Sequence, residues 1–456
     1  MKFQDKLPIA IIVGVFLLIK IFTLPYYENV WWDSSVYVGM GKYIFSAGNS
    51  GLWESSRPLV LPIILGFFWK LGLDTILFGR IAMILISALT IIVAYLLAEK
   101  FLDRKTAILS AIFVGFSPTF FFFSSNILTD LSSAFFSLLG IYLLLRKQYF
   151  SSGISFGLAF TTRFLQLFGF AVVGLFFLYL IYRKKENVFS AVKIALGFLI
   201  PASVYFIINS GLYGNPLKPL LMQYTLTATT GWMYFEPVWY YIANMFMENL
   251  FYFFAFAGIF LILKNKGKDS ELNYLSLAFL FYLFSFSMVK HKEMRFVLTF
   301  LPYMSILAAY ALVSILRKDE KTLNFKIGAV AVIFLIVSIP QYKFDPYHKQ
   351  MDRLYSYANT LSDNDGIWIT NPAYIVYSDK KAHKLMYEAF DAKKAIELQK
   401  DIGNASHIIL NTCDIPCPPK EEKCEEEKQK LMQLIKSRFK AVYEDRFYDC
   451  ELYVFS

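Results

Sequence analysis

Residues 75–99, TILFGRIAMILISALTIIVAYLLAE, form an apolar run that is long enough to cross a lipid bilayer as a helix. About 20 apolar residues cross a hydrocarbon core of about 30 Å. Similar runs recur throughout residues 1–340, and hydrophobic residues make up 57% of the chain. Because a soluble protein of 456 residues cannot bury that much apolar surface, lipid must surround part of it. The sequence therefore predicts an α-helical polytopic membrane protein.

About eleven segments of the chain, this run included, have the length and composition of membrane spans. Residues 150–182 are too long for one span and short for two, and the interruption at Thr161–Arg163 predicts a tight helical hairpin or a broken helix. The first segment lacks a small-residue cleavage site, so it is interpreted as a retained anchor. The predicted bounds are 7–24, 75–99, 106–123, 127–145, 150–163, 165–182, 188–209, 240–263, 271–289, 296–316 and 326–340.

The distribution of charge predicts the orientation in the membrane. Residues 1–340 contain 28 Lys and Arg against 16 Asp and Glu, and the basic residues form short clusters in alternate loops, such as Arg183–Lys185. Clusters of this kind mark cytoplasmic loops and argue against a nucleic-acid partner. The N-terminus is therefore predicted to be cytoplasmic. The predicted outer segments are 25–74, 120–130, 210–239, 290–295 and the tail from about 341.

The tail, residues 341–456, differs from the body in composition. It contains 17 Lys and Arg against 19 Asp and Glu, which is typical of a soluble domain. We expect two domains, a catalytic transmembrane domain at 1–340 and a small extracytoplasmic α/β domain at 341–456. The predicted elements of the tail are strands at 366–371 and 407–411, a helix at 419–437, and a hairpin formed by 439–447 and 450–455.

All the cysteines lie in this tail, at Cys413, Cys417, Cys424 and Cys450. An even number of cysteines in a domain predicted to be outside the cytoplasm indicates one or two disulfides. Zinc is the competing interpretation, although the C-x3-C-x6-C spacing is not that of a standard zinc finger. Asn404–Ser406 also fits the N-glycan acceptor pattern.

Three charged residues predicted at the outer face have both a functional and a structural interpretation, because charge near a bilayer is costly. Asp33, between Trp31-Trp32 and Tyr37, is either a general base or an exposed acid beside an interfacial aromatic belt. Arg57, before Pro58, is either a phosphate ligand or a snorkelling charge on an interfacial helix that ends at Lys70. Asp130 is either functional or suited to the dipole of a helix that starts there.

A fourth group is the segment Lys290-His291-Lys292-Glu293-Met294-Arg295-Phe296. Three basic side chains and a histidine occur together on a side of the membrane where cations are expected to be scarce. A helix is predicted to start directly after them, and a helix N-terminus favours anions. Arg and Lys together suit a phosphate group, and the alternative is a solvated loop.

The order of these segments resembles that of the GT-C superfamily of membrane glycosyltransferases, which use polyprenyl-phosphate sugars. The chain follows the family pattern, with Asp33 followed by Tyr37, then Arg57-Pro58, then Thr129-Asp130. The segment 291–296 is similar to the His-Lys-Glu-x-Arg-Phe motif of the mannosyltransferases of N-glycan and GPI-anchor assembly. The rest resembles the protein O-mannosyltransferase and aminoarabinose-transferase branch, which includes prokaryotic members with a small α/β tail.

Two features depart from the related families. Protein O-mannosyltransferases pair Asp with Glu in the first loop, whereas this chain has Ser34, so the acid role rests on Asp33 alone. Trp31-Trp32-Asp33 has the letters of an oligosaccharyltransferase motif, but that motif belongs to their C-terminal domain, and we discard the match.

The resemblance implies a hexosyltransferase, with mannose or another hexose as the sugar, acting with inversion in a prokaryotic cell membrane. The implied partners are a polyprenyl- or dolichyl-phosphate sugar donor and a glycan, lipid or protein acceptor. Asp33 is then the base, and donor phosphate contacts are expected from Arg57, Arg163, Lys292 and Arg295. The further site candidates are Tyr37, Asp130, Lys290, His291 and Glu293.

Neither a cofactor nor a metal is expected, because the four histidines are scattered along the chain. The alternative function is a lipid-glycan flippase or transporter. Such proteins show inverted repeats and charges near the bilayer midplane. This sequence shows no internal repeat, and its candidate charges cluster at one face. A non-catalytic scaffold would leave the basic outer cluster without a role.

Overall fold

The computed structural model describes residues 3–264, 272–317, 319–345, 350–361, 366–388 and 390–456. In chain order the α-helices are α1 (Phe3–Thr23), α2 (Trp32–Phe45), α3 (Val60–Lys70), α4 (Thr75–Phe101), α5 (Arg104–Gly115), α6 (Pro118–Phe123), α7 (Thr129–Leu145), α8 (Tyr149–Thr162), α9 (Gln166–Tyr182), α10 (Val188–Tyr213), α11 (Lys218–Thr230), α12 (Tyr240–Glu248), α13 (Phe254–Lys264), α14 (Leu272–Met288), α15 (Leu301–Leu316), α16 (Leu323–Ser338), α17 (Gln350–Asn359), α18 (Ala373–Val376), α19 (Ala392–Asp401) and α20 (Glu422–Arg438). Short 3-10 helices occupy Leu24–Tyr26, Gly231–Tyr234, Leu250–Phe253, Met294–Thr299, Ile339–Gln341, Ile402–Asn404 and Thr412–Asp414.

The chain forms two compact units, each built from separate segments. Unit 1 contains Met1–Tyr27, Arg80–Pro216 and Glu236–Phe344. Unit 2 contains Glu28–Gly79, Leu217–Phe235 and Asp345–Ser456. The segment after the first helix therefore packs with the tail.

The apolar helices agree with the predicted membrane protein class. Within the described residues, four are long and apolar enough to cross a bilayer, at Lys6–Tyr26, Thr75–Phe101, Val188–Tyr213 and Leu323–Gln341. Six shorter apolar helices accompany them, at Val60–Lys70, Thr129–Leu145, Gln166–Tyr182, Leu250–Lys264, Leu272–Met288 and Leu301–Leu316. The number of eleven spans stays a prediction.

Several predicted spans are interrupted. The stretch 150–182 is a pair of helices, since α8 ends at Thr162 and α9 begins at Gln166. The predicted span 106–123 divides into α5 and α6, where the Ser117 side chain accepts the Phe120 N–H as a cap and Pro118 begins the next helix. The span predicted at 240–263 divides into α12 and α13 on either side of a 3-10 helix that Asn249 caps.

In unit 2, α2 and α3 approach each other closely because of two glycines. A Cβ added at Gly41 would lie 2.6 Å from the backbone nitrogen of Gly66 and 2.6 Å from the carbonyl oxygen of Pro62. A larger residue at Gly41 would therefore push the two helices apart. This contact matters for the site, because Asp33 lies in the first turn of α2 and Arg57 lies just before α3.

The tail contains a five-stranded sheet with the order β2-β1-β3-β5-β4. Strands β2, β1 and β3 run parallel, and β5 pairs antiparallel with both β3 and β4. The predicted small α/β fold and its main elements are confirmed, whereas β2, α17, α18 and α19 were not predicted. The strands are β1 (Ile367–Ile369), β2 (Lys384–Leu385), β3 (His407–Asn411), β4 (Ala441–Phe447) and β5 (Cys450–Phe455).

The predicted disulfides are present. Cys413 is bonded to Cys450, and Cys417 is bonded to Cys424. Because every cysteine of the chain is in one of these two bonds, the competing zinc interpretation of the four cysteines is wrong.

Candidate active site

Unit 2 contains a group that we call the carboxylate cluster, made of Asp33, Glu54, Arg57 and Tyr387. The Arg57 Nη2 atom lies 2.9 Å from Asp33 Oδ1, and Arg57 Nε lies 2.6 Å from Glu54 Oε1. The Tyr387 hydroxyl donates to Glu54 Oε2 over 3.2 Å. One guanidinium is thus shared by two carboxylates, a charge-assisted arrangement that fixes both in position.

The two carboxylates of this cluster differ in accessibility. The Glu54 side chain is 1% exposed, whereas the Asp33 side chain is 15% exposed. Glu54 also accepts the hydroxyl of Ser56 over 3.0 Å. Asp33 is therefore the carboxylate that an incoming molecule can reach, and Glu54 holds Arg57 from the buried side. Tyr37, which is also buried, lies under Arg57 with 5.9 Å between the guanidinium carbon and the ring centroid.

A further acid, Glu388, interacts electrostatically with the carboxylate cluster. Burial and the negative charge of Glu54 raise the pKa of Glu388 to about 7, against the opposing effect of Lys394 and Arg57. Its Oε1 atom is buried and has no hydrogen-bond partner in the described part of the chain. Glu388 also lines a cavity of about 310 Å³ together with Ser56 and Lys394. This acid is therefore able to change its protonation state near neutral pH.

Unit 1 contains a second group, the Phe296 cluster, which consists of Asp130, Arg163, His291, Glu293 and Arg295 around the Phe296 ring. The guanidinium carbons of Arg163 and Arg295 lie 4.6 and 5.7 Å from the ring centroid. The His291 ring is stacked on the same phenyl ring at 5.6 Å. Cation–π attraction and stacking hold these side chains in place.

Each arginine of the Phe296 cluster has an acidic partner. Arg163, just after α8, is paired with Asp130 in the first turn of α7. Glu293 Oε1 lies 2.7 Å from both Arg295 Nη2 and His291 Nε2. Burial raises the pKa of Glu293, but the hydrogen bonds and charges of His291 and Arg295 outweigh it, and the net pKa is lowered. The side chains of Arg163 and Arg295 are 12% and 14% exposed, so solvent still reaches both.

The other two basic residues of the segment lie apart from this group. Lys292 is 4% exposed, and its ammonium group donates to the carbonyl oxygens of Val289 over 2.6 Å and Glu236 over 2.8 Å. Lys290 is exposed. A helical segment begins here as predicted, but its first turns form a 3-10 helix at Met294–Thr299. The α-helix begins only at Leu301, where Pro302 suits the first turn.

Sequence reasoning missed three residues of the carboxylate cluster and its surroundings. Glu54 was detectable as an acid three residues before Arg57, near enough along the chain for the side chains to meet in the turn that precedes α3. Tyr387 and Glu388 carried no such signal, since the Glu54–Tyr387 contact joins positions that are 333 residues apart. Among the described residues, no group of three or more His, Cys, Asp or Glu side chains is arranged to hold a metal.

The family that the sequence matches makes this chain a GT-C membrane glycosyltransferase, as the sequence resemblance predicted. Residues 10–374 match the Alg9-like mannosyltransferase family, and the chain belongs to that family. No curated protein matches the sequence at a significant level.

Solved structures show the same fold at low sequence identity. ArnT from Cupriavidus metallidurans bound to undecaprenyl phosphate is 14% identical with a TM-score of 0.66, covering 98% of this chain and 97% of that chain. The Archaeoglobus fulgidus oligosaccharyltransferase in complex with Zn and sulfate is 13% identical with a TM-score of 0.56, covering 88% and 67%. The same enzyme tethered to an acceptor peptide is 12% identical with a TM-score of 0.58, covering 99% and 74%.

Proposed function

We propose that this protein transfers a hexose, mannose being the first choice, from a polyprenyl-phosphate donor to an acceptor hydroxyl at the outer face of the membrane, with inversion. Membership of the Alg9-like mannosyltransferase family supports the sugar. The donor class is supported by the structural similarity to ArnT, which was solved with undecaprenyl phosphate bound. Transfer without a resident metal or cofactor is part of this proposal.

The observation that carries the proposal is the accessible Asp33 carboxylate, held 2.9 Å from the guanidinium of Arg57. The ion pair fixes the direction of the carboxylate. A positioned carboxylate of this kind can accept the proton of an acceptor hydroxyl. Because Arg57 is engaged by two carboxylates, we assign it the positioning of Asp33 rather than a contact to the donor phosphate.

The proposed reaction is a single displacement. The acceptor oxygen forms a bond to the anomeric carbon, and the bond from that carbon to the phosphate oxygen breaks. The hydroxyl proton passes to Asp33, and the electron pair of the broken bond leaves on polyprenyl phosphate. Attack from the side opposite the leaving group inverts the configuration. The leaving phosphate is a good one, so positioning and charge stabilisation account for most of the catalysis.

For the departing phosphate we propose Arg163 and Arg295 of the Phe296 cluster. Arginine suits this role because its planar fork can engage two phosphate oxygens. Both arginines remain partly exposed, whereas the Lys292 ammonium already donates to two carbonyl groups. Lys292 is therefore the weaker candidate of the three.

We also propose that the N-terminus is cytoplasmic and that the tail is extracytoplasmic. Two disulfides in unit 2 support an oxidising location for the tail. Labelling of accessible lysines of the tail in intact cells would place it outside. Labelling that occurs only after cell lysis would overturn this orientation.

The deciding experiment uses protein reconstituted into vesicles with polyprenyl-phosphate [³H]mannose in the membrane. Transfer of label to a hydroxyl acceptor, lost in Asp33→Asn, is the expected result. Movement of the labelled lipid between leaflets without transfer would favour the flippase alternative. If the vesicles show neither sugar transfer nor lipid movement, both the proposed function and the flippase alternative are contradicted.

A further inference from the structure

Helix α2, which carries Asp33 in its first turn, also contains a buried lysine that the proposed reaction does not use. Lys42 lies in the last turn of this helix and is 4% exposed. A buried ammonium group is costly unless its charge and its hydrogen bonds are satisfied by nearby groups. The partners of Lys42 therefore indicate its role.

The Lys42 ammonium binds the C-terminal end of a short helix of the tail. Its Nζ atom donates to three carbonyl oxygens, those of Ile375 over 2.9 Å, Val376 over 3.3 Å and Ser378 over 3.0 Å. Ile375 and Val376 are the last two residues of α18. The carbonyl groups at a helix C-terminus lack intrahelical partners and carry partial negative charge, so a cation is favoured there. Lys42 thus joins the end of α2 to the end of α18.

Asp379 completes this contact and extends it to α3. Its Oδ1 atom lies 3.1 Å from Lys42 Nζ and accepts the indole N–H of Trp69, near the end of α3, over 2.9 Å. Four oxygen atoms therefore share the three N–H donors of the ammonium group. Because these donors are already engaged, Lys42 is suited to hold the structure in place and not to bind a substrate.

The loop after α2 is joined to the tail through its backbone. Gly51 forms a parallel bridge with Lys381. The Gly51 N–H donates to the carbonyl oxygen of Lys380 over 3.1 Å, and the Gly51 carbonyl oxygen accepts the N–H of Ala382 over 2.8 Å. Gly51 has a φ of +83°, and a Cβ there would lie 2.2 Å from the carbonyl oxygen of Gly39. Only glycine fits this close approach between α2 and its own loop.

The opposite end of α2 is held by the tail as well. Trp31 directly precedes α2, and its indole N–H donates to Asp345 Oδ2 over 2.6 Å. The Asp345 carbonyl oxygen accepts the backbone N–H groups of Glu28 over 2.9 Å and Asn29 over 3.1 Å. Tail residues therefore fix the helix on both sides of the segment that carries Asp33.

The part of the tail that binds the C-terminal end of α2 is placed by the sheet. Residues 375–382 lie between β1 and β2, which pair in parallel. Parallel strands require a crossover connection, and this segment belongs to it. The contacts of Lys42 therefore depend on the folded tail.

We propose that Lys42 is a positioning residue for the transfer reaction. By binding the end of α18 it holds α2, and through α2 it keeps the Asp33 carboxylate in the direction that the acceptor hydroxyl requires. This inference rests on the proposed function for the role of Asp33 as the base, but the dependence of position 33 on Lys42 is measurable without any transfer. The tail then takes part in proton transfer without contributing the base.

The first test measures transfer by full-length variants in vesicles, with polyprenyl-phosphate [³H]mannose as the donor and methyl α-mannoside as the hydroxyl probe. Lys42→Met keeps the length of the side chain and removes the ammonium group. Because a misplacement of about 1 Å can cost about a hundredfold in rate, kcat should fall by about ten- to a hundredfold while the donor KM stays unchanged. Lys42→Arg keeps the charge and N–H donors and should recover part of this loss.

Two further variants separate positioning from stability, with each rate measured below the unfolding temperature of the variant. Lys70→Met makes the same change at an exposed lysine in the last turn of α3 and should transfer at the wild-type rate. Asp379→Ala removes a side chain that is 72% exposed, so this variant should fold even if Lys42→Met does not. Its kcat should fall by less than that of Lys42→Met, because the carbonyl partners of Lys42 remain.

A second measurement is independent of transfer. Since all four cysteines are in disulfides, Asp33→Cys provides the only free thiol of the chain. The rate at which iodoacetamide alkylates this thiol, followed by mass spectrometry, reports the accessibility of position 33. Addition of Lys42→Met or Asp379→Ala should make alkylation faster, because α2 is held less firmly, and addition of Lys70→Met should leave the rate unchanged.

Wild-type kcat in both Lys42→Met and Asp379→Ala would overturn the inference. A loss of kcat that only matches the fraction of unfolded protein, a raised donor KM at unchanged kcat, or equal alkylation in all backgrounds would overturn it too. Faster alkylation with Lys42→Met, in a protein whose wild type transfers no sugar, would support the hold of Lys42 on α2 while contradicting the proposed function.

Discussion

The carboxylate cluster and the Phe296 cluster differ in their balance of charge. The first places one guanidinium between two carboxylates, Asp33 and Glu54, with Glu388 as a third acid of the same unit. The second pairs two arginines with two acids and adds His291. An excess of acid suits a group that takes up a proton, and paired arginines suit a group that stabilises an anion. The proposed function accordingly gives proton uptake to the carboxylate cluster and phosphate stabilisation to the Phe296 cluster.

Asp33→Asn is expected to have the largest effect. Asparagine keeps the shape of the side chain but cannot accept the proton, so kcat should fall by about 10²–10⁴-fold. Binding of the polyprenyl-phosphate donor should be retained. Asp449→Asn, at an exposed position of the tail, is the control and should transfer at the wild-type rate. Wild-type turnover in Asp33→Asn would show that Asp33 is not the catalytic base.

Substitutions at Arg295 test the proposed phosphate role of the Phe296 cluster. A hydrogen bond to a charged group contributes about 1.5–3 kcal/mol, so Arg295→Ala should lower kcat/KM for the donor by about ten- to a hundredfold. Arg295→Lys should recover only part of this, because an ammonium cannot form a bidentate contact. Arg317→Lys makes the same change at a half-exposed arginine and should have no effect. Unchanged donor kinetics in Arg295→Ala and Arg295→Lys would remove Arg295 from the proposed phosphate site.

The two disulfides of the tail close loops of different lengths, so removing one or the other should destabilise the protein to different degrees. Cys413–Cys450 closes 37 positions of chain and Cys417–Cys424 closes 7. The chain-entropy relation gives the longer loop about 1.5 kcal/mol more stabilisation. The double variant Cys413→Ser/Cys450→Ser should therefore lower the unfolding temperature more than Cys417→Ser/Cys424→Ser.

The carboxylate cluster includes Tyr387 of the tail, whereas the Phe296 cluster contains no tail residue. As the temperature rises, the variant Cys413→Ser/Cys450→Ser should therefore lose turnover of the acceptor before it loses binding of the donor. Turnover and donor affinity, measured on the same preparation, check this. If donor affinity falls first, the two clusters do not depend on the tail as described.

Glu388→Gln tests the electrostatic environment of the carboxylate cluster through stability, without any effect on turnover being required. The pKa of Glu388 is raised from 4.5 to about 7 in the folded protein. As pH rises from 4.5 toward 7, the unfolded chain loses this proton while the folded protein keeps it, so the unfolding free energy of the wild type falls. Glutamine cannot ionise and avoids this loss. The variant should thus gain stability relative to wild type across this window, and the gain should level off above about pH 7.

Thermal unfolding in detergent at a series of pH values measures this gain, with Glu444→Gln at an exposed position as the control. A pH-independent difference between Glu388→Gln and the wild type would contradict the raised pKa.

Local patterns account for what could be predicted. Strand β3 was predicted with its observed bounds, His407–Asn411, because a short apolar run ends there at a polar turn. Helix α19 was missed although its buried residues Ala392, Ala395 and Leu398 follow a helical spacing. The two-residue strand β2 has no pattern to detect, because it exists only as a parallel partner of β1.

The sequence by itself determined the membrane class, the α/β tail, the presence of disulfides and the motif at 291–296. Each of these depends on composition or on residues that are close together in the chain. Only the tertiary structure decided that Tyr387 shares Glu54 with Arg57, that Arg163 and Arg295 lie on one phenyl ring, and which cysteines pair. Apart from the Cys417–Cys424 bond, these contacts join distant segments, and they form because burial of apolar surface brings their helices and strands together, which no local pattern specifies.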